Sequence, residues 1–284
     1  MSISIALFMM LQVGPSGQAG PVGDPHDMVR DRPPRQAAEV VGEVAAAPLP
    51  QSVWLNECFE LVDTDPARAN SLAQIKRDST SGTERVLANH CLGLAATKME
   101  LWDQAQAAFI AARNEVPAEE LPLRARMGAM AGNAALARKD SATALTLFDA
   151  SRADALASNS GDLAALVALD QARVLVGLDR LEEAGPLLVE ALNLRPNDPE
   201  TRLLSATFFR RQGQLSAAQM QIEQALKLAP TDPEIGLEAG VIAVLDGRDN
   251  TARSSWELVV ATNPDHPAAT TARDYLDQLG PAGQ

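Results

Sequence analysis

Aromatic side chains are scarce in this sequence: six Phe, three Trp and a single Tyr, 4% of 284 residues. A core must then be filled by smaller aliphatic groups, and alanine, the strongest helix former, is plentiful at about 50 residues. Two cysteines exclude a disulfide-built scaffold and a four-thiolate zinc site. Three histidines leave little material for metal or acid–base chemistry, and no metal site or cofactor is expected. Basic residues are also short, 24 against 37 acidic, for a net charge of -13. Without a broad basic face the chain is not expected to bind nucleic acid. A hydrophobic fraction of 46% is nevertheless enough to build a folded core.

The longest apolar run near the start, Ile3 to Val13 (ISIALFMMLQV), is too short for a bilayer, which needs about 20 residues. It has the length of a secretory h-region, and Gly17-Gln18-Ala19 supplies small residues for cleavage. Residues 1–19 are therefore expected to be a signal peptide, although no Lys or Arg precedes the run. The mature chain, without a transmembrane span, would be periplasmic or secreted; without cleavage the protein would be cytoplasmic. Residues 20–49 are rich in Pro, Gly and charge, lack apolar periodicity, and read as a disordered linker.

Further along, three prolines stand in matching contexts at Pro196, Pro230 and Pro264, 34 residues apart. Ala184, Ala218 and Ala252 repeat in the same phase, as do Leu188, Ile222 and Trp256. A fixed period of this length marks a repeat array. Ala105 with Phe109, and Ala144 with Phe148, extend the pattern backwards once insertions are allowed. The second of these units continues through Ser151–Leu156, which predicts a second helix about two turns longer than usual.

At these residues the chain resembles the tetratricopeptide repeat family, whose pattern is W-x2-L-G-x2-Y, A-x3-F and a closing P. The resemblance covers residues 50–279: a degenerate pair at 50–80, five repeats at about 85–264, a capping helix at 267–279, and a tail at 280–284. It implies an all-α fold, a right-handed superhelical α-solenoid of antiparallel helix pairs. Large residues expected in each first helix are often reduced here to Ala or Gln. Local chemistry agrees with such a fold. Asp198, Asp232 and Asp265 suit helix N-caps, with Pro199, Pro233 and Pro267 at or near the first helical position. Gly213 and Gly247 suit left-handed turns between paired helices.

No G-x-S-x-G, phosphate loop, H-E-x-x-H or Cys-x-x-Cys occurs, and His90 and Cys91, adjacent on a helix, diverge by about 100°. The chain is expected not to be an enzyme. Cys58 and Cys91 fall on first helices of neighbouring units. Two states are open to them: buried free thiols, or, after export, a disulfide worth about 3 kcal/mol.

The resemblance implies that the first helix of each pair lines a concave groove for a partner protein or peptide. By repeat phase its candidate residues are Lys98, Arg126, Asn133, Arg173, Thr207, Arg210, Arg211 and Val241. Guanidiniums in such a groove can hold carboxylates with paired hydrogen bonds, so an acidic partner is one expectation. The alternative is internal pairing with residues such as Asp170 or Asp179. The Lys/Asn/Arg set by which co-chaperones clamp acidic tails is not reproduced. The expected function is a non-catalytic interaction scaffold; the alternative is an assembly or accessory subunit holding an envelope enzyme complex. Oligomeric state is not legible.

Overall fold

The computed structural model describes residues 52–280; the expected signal peptide, the linker and most of the short tail lie outside them. Among the described residues the chain forms helices and no strands. Six consecutive pairs are α1 (Val53–Thr64) with α2 (Pro66–Ser79), α3 (Thr83–Lys98) with α4 (Trp102–Glu115), and α5 (Leu121–Ala137) with α6 (Ser141–Ala157). The series continues with α7 (Gly161–Gly177) and α8 (Leu181–Leu194), α9 (Pro199–Arg211) and α10 (Leu215–Leu228), α11 (Pro233–Leu245) and α12 (Asp249–Thr262). A single helix, α13 (Pro267–Leu279), follows.

Each pair is held by a small residue facing a large one. Ala105, Ala144, Ala184, Ala218 and Ala252 on the second helices are inaccessible, and so are Phe109, Phe148, Leu188, Ile222 and Trp256, one turn on. Sixteen residues before each large side chain, on the first helix, stand Gly93, Gly132, Ala172, Ala206 and Gly240. Sizes are matched within the pairs. A Cβ on Gly93 would sit 2.4 Å from the Phe109 ring, on Gly132 2.6 Å from Phe148, and on Gly240 2.1 Å from Trp256 Nε1. Alanine is tolerated where the partner is the aliphatic Leu188 or Ile222. Few aromatics are needed because helices meeting through Gly and Ala approach closely and leave little space to fill.

Local signals set the helix ends. The carboxylate of Asp198 accepts the Thr201 backbone N–H at 2.8 Å, and that of Asp232 accepts from Ile235 at 3.0 Å. Asp265 does not do the same. Its turn is one residue longer, so His266 becomes the cap and its Nδ1 accepts the Ala268 N–H at 3.1 Å. Gly213 and Gly247 have φ of 73° and 72°, whereas Glu100, Lys139 and Asp179 hold the equivalent left-handed turns in earlier pairs. The long second helix expected after Phe148 is shorter than its sequence implies. α6 has 17 residues against 14 in α4 or α8, less than one extra turn. Asn159, at φ 54°, ends it, and the remaining residues open α7.

Each element packs on the next, and the first helices of most successive pairs also touch: α1 with α3, α5 with α7, α7 with α9, and α9 with α11. No comparable contact joins successive second helices. The first helices therefore form the inner, closer-spaced face of a solenoid, and the second helices its outer face. α13 takes the inner position after α11 and covers it. Its Ala269, Ala272 and Tyr275 join the cluster of Leu237, Val241 and Trp256.

Candidate functional site

Along the inner face, polar side chains bridge one first helix to the next. Asn133 on α5 hydrogen-bonds Asp170 on α7. Arg173, a turn further along α7, pairs with Asp170 at 2.6 Å and with Glu200 on α9 at 2.9 Å. Arg210 Nε on α9 then donates to Glu238 Oε1 on α11 at 2.6 Å, with both side chains fully excluded from solvent. Burial pushes the Asp170 carboxyl above its usual range, and the Arg173 charge and Asn133 bond oppose that shift. Such pairs cost desolvation but hold geometry, because breaking one leaves a buried charge uncompensated.

The eight groove candidates therefore divide. Arg126, Arg173, Thr207, Arg210 and Val241 are all buried, Val241 completely. Of these, Arg173 and Arg210 take the internal pairing that the sequence left open. Thr207 lies within the α9 interior, and Val241 belongs to the core under α13. These two correct the expectation of groove-facing positions: neighbouring first helices lie close enough to cover the phase that would otherwise face a partner. Asn133 and Arg211 are half-buried, and Lys98 is exposed. Arg211 Nη1 donates to the Val176 carbonyl at 2.5 Å and its guanidinium pairs with Asp179 at 3.2 Å. The Lys98 ammonium lies 3.3 Å from Asp63 on the rim.

At the amino-terminal end, Cys58 on α1 and Cys91 on α3 have Cα atoms 6.3 Å apart, and the two sulfurs are joined. Beside them His90 is 3% exposed, wedged between Phe59 and Phe109, with neither ring nitrogen hydrogen-bonded. Burial, and secondarily the Arg126 charge, lower its pKa to about 3. A neutral imidazole without partners is poorly placed for proton transfer at neutral pH.

No family model and no curated protein matches the chain. Solved structures do. PilW, a widely conserved type IV pilus biogenesis factor, aligns with a TM-score of 0.62 at 16% identity, covering 78% of this chain and 100% of that one. The assembly chaperone of RpL4, Acl4, aligns at 0.60 and 16% identity, over 79% and 94% of the two chains. TTC0263, a thermophilic TPR protein of Thermus thermophilus, aligns at 0.53 and 19% identity, over 68% and 98%. The described chain has the tetratricopeptide-repeat fold.

On the outer face of this tetratricopeptide array two clefts open between successive second helices. One, of about 530 Å³, lies over α3 between α2 and α4, with Arg77, Asn89 and Gln104 among its lining residues. The other, of about 370 Å³, lies over α7 between α6 and α8, bordered by Asp149, Gln171 and Glu183. Among the described residues no three His, Cys, Asp or Glu side chains gather as a metal site, and no helix is long and apolar enough to cross a membrane. Sequence reasoning missed Glu200 and Glu238 as inner-face residues. A signal existed for Glu238: it is a lone acid inside the apolar run Ile235–Leu245.

Proposed function

We propose that the chain is a non-catalytic interaction scaffold that docks a partner protein or peptide along the rim of its inner face. The observation that carries this reading is the row of first helices, in which α5, α7, α9 and α11 each touch the next. Its buried polar bridges fix their spacing, while Lys98, Asn133 and Arg211 stay at least partly accessible at its edge. A pre-set row of this kind lowers the ordering cost of binding. Since Arg173 and Arg210 are paired internally, the reading does not require an acidic partner. A second reading, an exported assembly factor, draws on the leader-like run at Ile3–Val13 and on the fold shared with PilW.

Photo-crosslinking residues at positions 98, 133 and 211, tested in the native cell against one at the exposed outer Val189, examine the first reading. The inner positions are expected to trap a common partner that position 189 does not, and Lys98→Glu with Arg211→Glu should weaken capture. Equal capture from position 189 would overturn the inner-face site. Fractionation of the same cells examines export.

A further inference from the structure

The outer cleft between α2 and α4 holds a buried amide that lacks a partner. Asn89 on α3 is 2% exposed, it lines this cleft of about 530 Å³, and its Oδ1 accepts no hydrogen bond. An acceptor left unpaired in a protein interior is destabilising, so a side chain kept in that state on a cleft wall marks a place for a ligand. The same position in the later repeats, four residues before the small residue of each pair, carries no such group. Gly128 has the Arg113 side chain against it, Ala168 is buried, Arg202 donates to Gln221, and Gly236 lies against Val259.

The rest of the cleft is amide and small-aliphatic in character. On α4 its wall is Ala107, Ala108 and Ala111, whose short side chains leave room beside Leu92. At one end Gln74 donates to Asn70, and Asn70 Nδ2 donates to Gln104 Oε1 at 3.0 Å, bridging α2 to α4. At the other end the charges are already matched: Arg77 with Asp78 at 2.9 Å and Arg85 with Glu115 at 2.6 Å. Beside them Lys76 pairs with Glu84 at 2.7 Å. A cleft whose charges neutralise one another, and whose remaining polar groups are carboxamides, suits an uncharged ligand with its own N–H and C=O groups. A polypeptide backbone is such a ligand.

We propose that this cleft binds an extended, uncharged segment of a partner protein. One main-chain N–H of the segment donates to Asn89 Oδ1, and a carbonyl beside it accepts from Gln104 Nε2. Small side chains suit the alanine wall. A helix, about 10–12 Å across with its side chains, would have to break the Asn70–Gln104 bridge to lie between α2 and α4, whereas an extended chain is slimmer. From Gln104 to Glu115 the wall runs about 16 Å at 1.5 Å per helical residue, the length of about five extended residues. This site is separate from the inner face and does not depend on docking there.

The experiment probes the full chain with arrayed, end-capped pentapeptides built from Gly, Ala, Ser, Thr and Val, with Asp- and Lys-containing sets for comparison. Uncharged members are expected to bind, with an affinity that about 500 mM salt leaves unchanged. For the tightest of them, N-methylation of a central amide, Asn89→Ala and Ala111→Trp are each expected to weaken binding about tenfold or more, read by fluorescence anisotropy. Ala111 is exposed, so its replacement fills the cleft without entering the core. Ala142→Trp, at an exposed position on α6, is expected to change nothing, and thermal melts confirm that each variant is folded. The absence of any uncharged binder at concentrations on the order of millimolar would overturn the proposal. So would binding by charged peptides alone, or binding indifferent to N-methylation, to Asn89→Ala or to Ala111→Trp. A partner caught from positions 98, 133 and 211 bears on the inner face and leaves these outcomes as they stand.

Discussion

Arg210 and Glu238 form an ion pair with no solvent contact, 2.6 Å from Nε to Oε1, across the interface between two successive repeats. Removing the carboxylate charge takes a fully buried counter-charge away from the Arg210 guanidinium. Glu238→Gln is expected to lower stability by about 3 kcal/mol. The urea unfolding midpoint measures this, and a midpoint equal to the wild type would show that the pair contributes nothing net.

Gly240 is expected to tolerate no side chain. Alanine there would bring a Cβ to 2.1 Å from the Trp256 indole nitrogen, which itself donates to the Leu237 carbonyl at 3.1 Å. Gly240→Ala should cost about 1–3 kcal/mol through overpacking. Gly177, which has open space around its missing Cβ, is the control. Gly177→Ala should be neutral or stabilising by up to about 1 kcal/mol. Thermal melts that rank the two variants the other way would refute the size-matching account.

Lys139 holds a left-handed turn at φ 63°, where later pairs use glycine. Lys139→Gly should relieve strain and stabilise by about 1 kcal/mol, and Gly213→Ala should lose a similar amount. A destabilised Lys139→Gly, read by chemical denaturation, would mean that its ammonium or its stem contributes more than the backbone strain costs.

His90 makes stability depend on pH. Its pKa is depressed from 6.5 to about 3, first by burial and then by Arg126, so the folded state binds fewer protons than the unfolded state between those values. The stability linked to this group is complete above about pH 6.5 and is lost as pH falls toward 3, at no more than about 1.4 kcal/mol per pH unit. Unfolding midpoints from pH 7 to 4 should therefore fall more steeply for the wild type than for His90→Leu. Parallel curves would exclude His90 as the source.

The bridge between Cys58 and Cys91, 33 residues apart in sequence, is expected to contribute about 3 kcal/mol when formed. Denatured, unreduced protein from its native compartment should take up no maleimide, and reduction should lower the melting temperature. Two labelled thiols before reduction would show that the cysteines stay free.

Much of the array is legible in the sequence because its packing rule is local. The phased Ala184, Ala218 and Ala252 and the large residues after them lie at fixed distances along one chain, and Pro199 and Pro233 mark helix starts directly. Which arginines reach solvent was less legible, because that depends on how closely neighbouring first helices approach. Repeat phase placed Arg173, Arg210 and Val241 on the inner side. The contacts of α7 with α9, of α9 with α11 and of α11 with α13 cover them. The cap at His266 was misread for a smaller reason: one added residue in a turn moves the capping position by one.

The two faces of the array differ in what holds successive pairs together, and that difference sets how the molecule can bend. On the inner side, Arg173 with Glu200 ties α7 to α9, and Arg210 with Glu238 ties α9 to α11, through largely buried charges. On the outer side the second helices scarcely touch and leave open clefts over α3 and α7. Fanning the second helices apart or together breaks little, whereas parting the first helices exposes unpaired charge. The array should flex like a book about its spine: its curvature adapts to an occupant while the spacing of the inner row stays constant.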